Sequence, residues 1–225
     1  MPKVDYRLNA IVDFDAIGPD GALAELALAA VRGGATIIQY RDKNSATRDM
    51  VARAREIHAA VGPTGVPLLV NDRIDVALAG GVEGVHVGRE DMAVADVRRL
   101  IGPDAIIGLT VKNDADAQAA IDGDIDYACI GGLFETPTKE NLHPIGFEGF
   151  RRLAAIIRGA KPQLPVGAIA GIGLERTPPA IEAGADGVAV ISAIFRQKDP
   201  QAAAQALRRA VDQALHVRAR REERA

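Results

Sequence analysis

The chain has 225 residues, 48% of them hydrophobic and 25% charged, with a formal net charge of −3. That is enough apolar material for a sizeable core, and the balanced charge argues against a nucleic-acid surface or a polybasic membrane patch. A single cysteine, Cys129, excludes a disulfide framework and a thiolate metal cluster; 4% aromatic residues and no Trp argue against stacking platforms for single-stranded nucleic acid.

The N-terminal MPKVDYRLNAIVDFD has no signal-peptide apolar region. No stretch approaches the roughly 18–20 apolar residues of a membrane span. The longest apolar run, GALAELALAAVRGG, carries Glu25 and reads as an Ala/Leu helix. A cytoplasmic protein is expected, with no nucleic-acid or membrane partner.

From there, short β-branched runs alternate with Ala-rich helical runs. Strands are predicted over 7–13, 35–41, 67–72, 84–88, 105–110, 127–134, 165–172 and 187–192. Helical patterns fall at 20–32, 46–61, 73–79, 93–101, 114–121, 147–158 and 177–183, with a last one from about Pro200. Gly33-Gly34, Gly80-Gly81 and Gly102-Pro103 punctuate helix ends. Eight βα units at this length predict a closed (β/α)8 TIM barrel. The other architecture is an open doubly wound sheet, but no GxGxxG follows the first strand. GGATIIQ, GGVEGVHVG and AGADGVAVIS form a weak internal repeat, in which one kind of helix-to-strand turn recurs. The barrel domain is expected over 1–215, followed by a charged tail, 216–225, that reads as a frayed or solvated helix end.

In such a barrel, sites are built where the strand C-termini converge. Gln39, Arg41 and Lys43 of QYRDK alternate to one side, and two cations with an amide suit a multiply charged phosphate. The same stretch also reads as a solvated strand exit with an Arg–Asp pair. Asp72 and Asp91 follow successive strand-like segments, so together they suit one Mg²⁺ beside a diphosphate. Each alone also reads as a helix N-cap. ETPTK at 135–139 offers two hydroxyls and a Lys on a loop long for a βα connection, suited to closing over a ligand or simply to a polar surface. AGIG at 170–173 and VIS at 190–192 suit a phosphate held by backbone N–H groups, or plain tight turns. His86 reads as a packed, hydrogen-bonded barrel residue and Cys129 as a buried, inert thiol.

QYRDK, VNDRIDVAL, GVHVGREDM, IGLT, ETPTK, AIAGI and VAVIS, in this order from about Arg7 to Phe195, resemble the thiamine-phosphate synthase family. The resemblance implies a βα barrel that joins hydroxymethylpyrimidine diphosphate to thiazole phosphate and releases diphosphate with Mg²⁺. It implies that Gln39, Arg41 and Lys43 grip the pyrimidine diphosphate with Asn71 and Lys139, and that Asp72 and Asp91 ligate Mg²⁺. Thr110 takes a place where the family usually has Ser, near the reacting diphosphate. The resemblance also implies that Thr136 and Thr138 contact the thiazole phosphate with Gly171 and the Ile191-Ser192 backbone. Tyr40, Asp42 and Pro137 join the substrate-binding set with their motifs, and Arg41, Thr110 and Lys139 are the implied catalytic residues. Glu135 departs from the pattern, since an acid beside an anion site repels. The thiazole tautomerase paralogue is similar over the same barrel; that resemblance implies a His in the strand-six segment, which here reads Cys129-Ile130-Gly131-Gly132-Leu133. A non-catalytic phosphate-binding barrel and a phosphosugar isomerase are further readings. The partners expected are small-molecule substrates, and a homo-oligomer is left open.

Overall fold

The computed structural model describes residues 4–18, 22–134 and 144–224. Eight parallel strands close into a barrel in sequence order. They are β1 (Leu8–Asp13), β2 (Ile37–Arg41), β3 (Leu68–Asn71), β4 (Gly84–Val87), β5 (Ile106–Val111), β6 (Tyr127–Ile130), β7 (Val166–Ala168) and β8 (Gly187–Val190). The helices are α1 (Phe14–Ile17), α2 (Leu23–Arg32), α3 (Thr47–Val61), α4 (Ile74–Gly80), α5 (Val94–Ile101), α6 (Asp114–Asp122), α7 (Gly146–Ala160), α8 (Thr177–Glu182), α9 (Ser192–Phe195) and α10 (Pro200–Glu222). This is the (β/α)8 barrel that the alternating pattern predicts. No described helix is long and apolar enough to cross a membrane.

The strands are buried on both faces, as a parallel sheet under helices requires, and this explains their continuous apolar runs. Side-chain alternation splits each strand between two cores. Leu8, Ala10, Val12, Ile38 and Tyr40 face the helices; Ile11, Ile37, Leu69, Tyr127 and Ala189 fill the barrel interior. Two interior rings need glycine opposite them. A methyl on Gly167 would sit 1.7 Å from the Tyr6 ring, and one on Gly108 would sit 2.0 Å from Tyr127.

The internal repeat has a physical basis at the barrel floor. Just before each even strand stands a side chain that accepts the N–H at or near the start of its odd neighbour. Thr36 accepts from Leu8 at 3.0 Å, Glu83 from Leu68 at 2.9 Å, Asp126 from Ile107 at 2.8 Å and Asp186 from Val166 at 2.9 Å. Each satisfies a backbone donor that the ladder leaves over. Arg98 braces Asp126, while Arg158 and Arg218 brace Asp186.

Three predicted strands end two or more residues early. β6 stops at Ile130 because Gly131-Gly132 follows, with Gly132 at φ 77°. β7 stops at Ala168, ahead of Ala170 at φ 87° and Gly171 at φ 68°. β8 gives way to the one-turn helix α9 at Ser192. A single turn carries no periodicity, so neither α9 nor α1 shows in the sequence pattern. α10 runs on through 216 to Glu222 without a break, and Arg218 docks it by donating to the carbonyls of Ile181 and Ala185.

Removing a floor acceptor strands a backbone N–H together with its arginines. Asp186→Ala is expected to cost about 1–3 kcal/mol, read as a lower urea midpoint. Asp104→Ala, on an exposed turn, is expected to stay within about 0.5 kcal/mol of the parent.

Candidate active site

A cavity of about 200 Å³ opens at the C-terminal ends of the strands, and every strand or its exit contributes to the wall. On β2 the alternation that sends Ile37 into the barrel sends Gln39 and Arg41 into this cavity. Arg41 is held by Asp13, the last residue of β1, through Nη1–Oδ2 at 2.6 Å, and Asp13 is fully buried. The other Asp13 oxygen caps α1 by accepting from the N–H of Ala16 at 3.1 Å. Asp13 was not singled out from the sequence, although it obeys the same strand-end rule as the residues that were.

Asp72 follows β3 in the left-handed region, at φ 63°, with its N–H donating to the carbonyl of His86 at 2.8 Å. Asp72 ion-pairs with Lys43. Asp91 accepts from the N–H of Gly88 at 2.8 Å and lies within hydrogen-bonding reach of the Asp72 carboxylate. Neither caps a helix: the N-cap positions of α4 and α5 are Arg73 and Ala93, without a side-chain cap bond. The capping alternative falls for both acids. Burial raises the Asp91 pKa above the ordinary carboxylate value; the Gly88 N–H opposes that rise, and the facing Asp72 charge adds to it.

Below the mouth runs a polar chain. Tyr127 Oη lies 2.9 Å from His86 Nδ1, and His86 Nε2 lies 2.8 Å from Thr110 Oγ1. Both ring nitrogens are engaged, in keeping with the packed role expected for His86. Burial pushes the Tyr127 pKa well up, so its proton stays on. Cys129 is buried and accepts from Tyr6 Oη at 3.0 Å. Asn71 joins the wall between Gln39 and His86.

Across the mouth, Gly171, Ile191 and Ser192 line the cavity at the exits of β7 and β8. Arg176 donates to the Gly171 carbonyl at 2.9 Å and lies 4.1 Å above the Phe134 ring. Phe134 also meets Phe147 edge-on at 5.2 Å.

Tyr40 and Asp42 do not join this constellation. Tyr40 faces the helices, opposite Gln39 and Arg41, and its hydroxyl donates to Asp42 at 2.8 Å. Asp42 also accepts from Arg53 at 3.0 Å and from the N–H of Ser45 at 3.0 Å. Burial works against its charge, but those bonds hold its pKa below the usual range. The pair braces the loop that carries Lys43; reading QYRDK as one block hid that division. Thr136, Pro137, Thr138 and Lys139, with Glu135, lie outside the described residues.

Among the described residues no group of three or more His, Cys, Asp or Glu is arranged to hold a metal ion. Two facing carboxylates nevertheless fit Mg²⁺, which takes one or two such ligands and completes its shell with waters and phosphate oxygens. A divalent cation between Asp72 and Asp91 would relieve their mutual repulsion.

The family model for thiamine monophosphate synthase matches residues 8–194. A thiamine-phosphate synthase from Agrobacterium fabrum is 57% identical over 219 residues, which cover 97% of this chain and 99% of that protein. One from a Roseiflexus species is 45% identical, covering 98% and 91%. The solved structure of a thiamine phosphate pyrophosphorylase from Pyrococcus furiosus superposes with a TM-score of 0.82 at 33% identity, covering 95% of this chain and 98% of that one. With its barrel and its strand-end motifs in place, the chain belongs to the thiamine monophosphate synthase family.

Proposed function

We propose that this protein is a thiamine-phosphate synthase that uses Mg²⁺ to join hydroxymethylpyrimidine diphosphate to thiazole phosphate, releasing diphosphate. The observation that carries the reading is the facing pair Asp72–Asp91 beside Lys43. The names of the relatives supply the reaction.

The chemistry needs charge neutralised and no proton moved. The bond between the pyrimidinylmethyl carbon and the diphosphate oxygen breaks, and the electron pair leaves with diphosphate. The thiazole nitrogen then attacks the resulting cation with its lone pair, giving the thiazolium. Asp72 and Asp91 would hold Mg²⁺, which when bound would supply Lewis-acid stabilisation of leaving-group charge. Arg41 and Lys43 add fixed positive charge, and Gln39 and Asn71 hold the pyrimidine diphosphate with Lys139. With Tyr127 donating to His86 Nδ1, His86 Nε2–H donates to Thr110, which frees the Thr110 hydroxyl hydrogen for a diphosphate oxygen. Gly171, Ile191 and Ser192 receive the thiazole phosphate with Thr136 and Thr138. Excluding water from the cation leaves it to the thiazole nitrogen. Location in the cytoplasm fits this reading.

Purified protein with both substrates and Mg²⁺ should yield thiamine phosphate and diphosphate, and excess EDTA should abolish both. Asp72→Asn and Asp91→Asn should each lower kcat/KM by roughly 100-fold or more. No product from folded wild type, with Mg²⁺ present, overturns the assignment.

The raised Asp91 pKa sets a direction for pH. A proton favours Asp91 over the free carboxylate until the pH passes its folded value, so protons compete with the cation there. Mg²⁺ affinity, followed by calorimetry with diphosphate present, should weaken by about tenfold per pH unit below that value. The same shift makes ionised Asp91 a cost to the cation-free fold above that pH. Asp91→Asn should therefore melt higher than wild type near neutrality without Mg²⁺, and lose the rise in melting temperature that Mg²⁺ and diphosphate give wild type.

Thr110→Val removes the hydroxyl at constant shape and should lower kcat by about tenfold, on the scale of one hydrogen bond to a charged group. Thr110→Ser should stay within about threefold. Equal rates for all three proteins sink the Thr110 role.

A further inference from the structure

We propose that Lys112 is a further binding residue for the leaving diphosphate, acting from the exit of β5, the strand next to the one whose exit turn carries Asp91. This inference rests on the synthase reading above. Inward positions on β5 alternate through Gly108 and Thr110, and the next in that series is Lys112, which follows the strand. Its stem leans over the exit of β6: a methyl on Gly131 would lie 4.0 Å from Lys112 Cγ and 3.8 Å from Thr110 Cγ2. Both side chains therefore border the same glycine-lined part of the cavity.

The charge pattern singles this lysine out. Arg41 is paired with Asp13, and Lys43 with Asp72. Lys112 lines the same cavity and has no carboxylate partner among the described residues. An unpaired ammonium at the edge of a cavity is the cation freest to meet an anion, because no ion pair must first be broken.

Asp116 ties this lysine to the neighbouring strand exit. It is buried, and its Oδ2 accepts the backbone N–H of Lys112 at 2.9 Å. Its Oδ1 lies 4.0 Å from Arg89 Nε, and Arg89 stands in the turn that carries Asp91. One carboxylate thus ties the exits of β4 and β5 together and anchors the Lys112 backbone next to the strand whose exit turn carries Asp91. The exits of β7 and β8, where the thiazole phosphate is assigned, lie beyond β6.

The test compares wild type, Lys112→Met and Lys112→Arg. Calorimetry measures inorganic diphosphate with Mg²⁺, and steady-state kinetics gives kcat and KM for each substrate. Lys112→Met should weaken diphosphate binding and lower kcat/KM for the pyrimidine diphosphate, each by roughly 10- to 100-fold, the scale of one charge-assisted hydrogen bond. Lys112→Arg should recover most of both, and KM for thiazole phosphate should not move. Lys112 is exposed, so unchanged melting curves are expected and check that each variant is folded. Unchanged diphosphate binding in Lys112→Met overturns the inference, and so does a change confined to the KM for thiazole phosphate. If wild type makes no thiamine phosphate, the synthase reading fails and this assignment fails with it; wild-type product together with unaltered variants is a failure of this inference alone.

Discussion

At the barrel floor, the N–H groups of Leu8, Leu68, Ile107 and Val166 donate to Thr36, Glu83, Asp126 and Asp186. Each bond locks one odd strand to the even strand that follows. The register is what the rest depends on, because a one-residue slip exchanges the inner and outer faces of a strand. With Asn9 opposite Ile37, Asp13 falls opposite Arg41, and those two meet as an ion pair at the mouth. With Asn71 opposite His86, the N–H of Asp72 reaches the His86 carbonyl, which turns the chain toward Lys43 and Asp91. Contacts at the floor thus determine which side chains stand at the mouth.

The mouth is where the fold accepts cost. Among the described residues, the two non-glycine residues with positive φ are Asp72, just after β3, and Ala170, at the exit of β7. Asp tolerates the left-handed region better than Ala, whose strain is of order 1 kcal/mol. Asp91 adds a carboxylate whose charge is opposed by burial and by its neighbour. A stability-driven sequence would place glycine at 170 and an amide at 91. On the proposed function, the present choices are accounted for by a cavity that receives anions and a divalent cation.

Strand positions, the closed barrel and the inward residues Gln39, Arg41, Thr110 and Gly171 were legible because a period of two and a strand-end rule operate locally. What stayed hidden was non-local or too short. Tyr40 and Asp42 sit within a motif that points to the site, yet alternation turns Tyr40 outward and Arg53 claims Asp42. Asp13 closes the first strand, where a lone acid reads as a turn. The chain from Tyr127 through His86 to Thr110 joins residues 41 and 24 positions apart, and no spacing rule predicts it. Whether Asp72 and Asp91 were caps or partners could be decided only from the Asp72 backbone angle and from what the two side chains face.

The proposed chemistry calls for no general base, and the same geometry is consistent with that. His86 is engaged at both nitrogens and Cys129 with Tyr6, so the groups that could move a proton or form a covalent intermediate are already held. What the mouth offers a substrate is charge. At an effective dielectric of about 20, unit charges about 4 Å apart interact by roughly 4 kcal/mol. Enzymatic rate enhancements correspond to roughly 8–23 kcal/mol. Two or three such cations with a divalent ion reach that range, provided they strengthen their hold as charge builds on the departing diphosphate. Arg41 and Lys43 begin in ion pairs with Asp13 and Asp72, so part of their attraction is spent before substrate arrives. A cation without such a partner at the same mouth is worth more per charge, and that is the physical reason to look at Lys112.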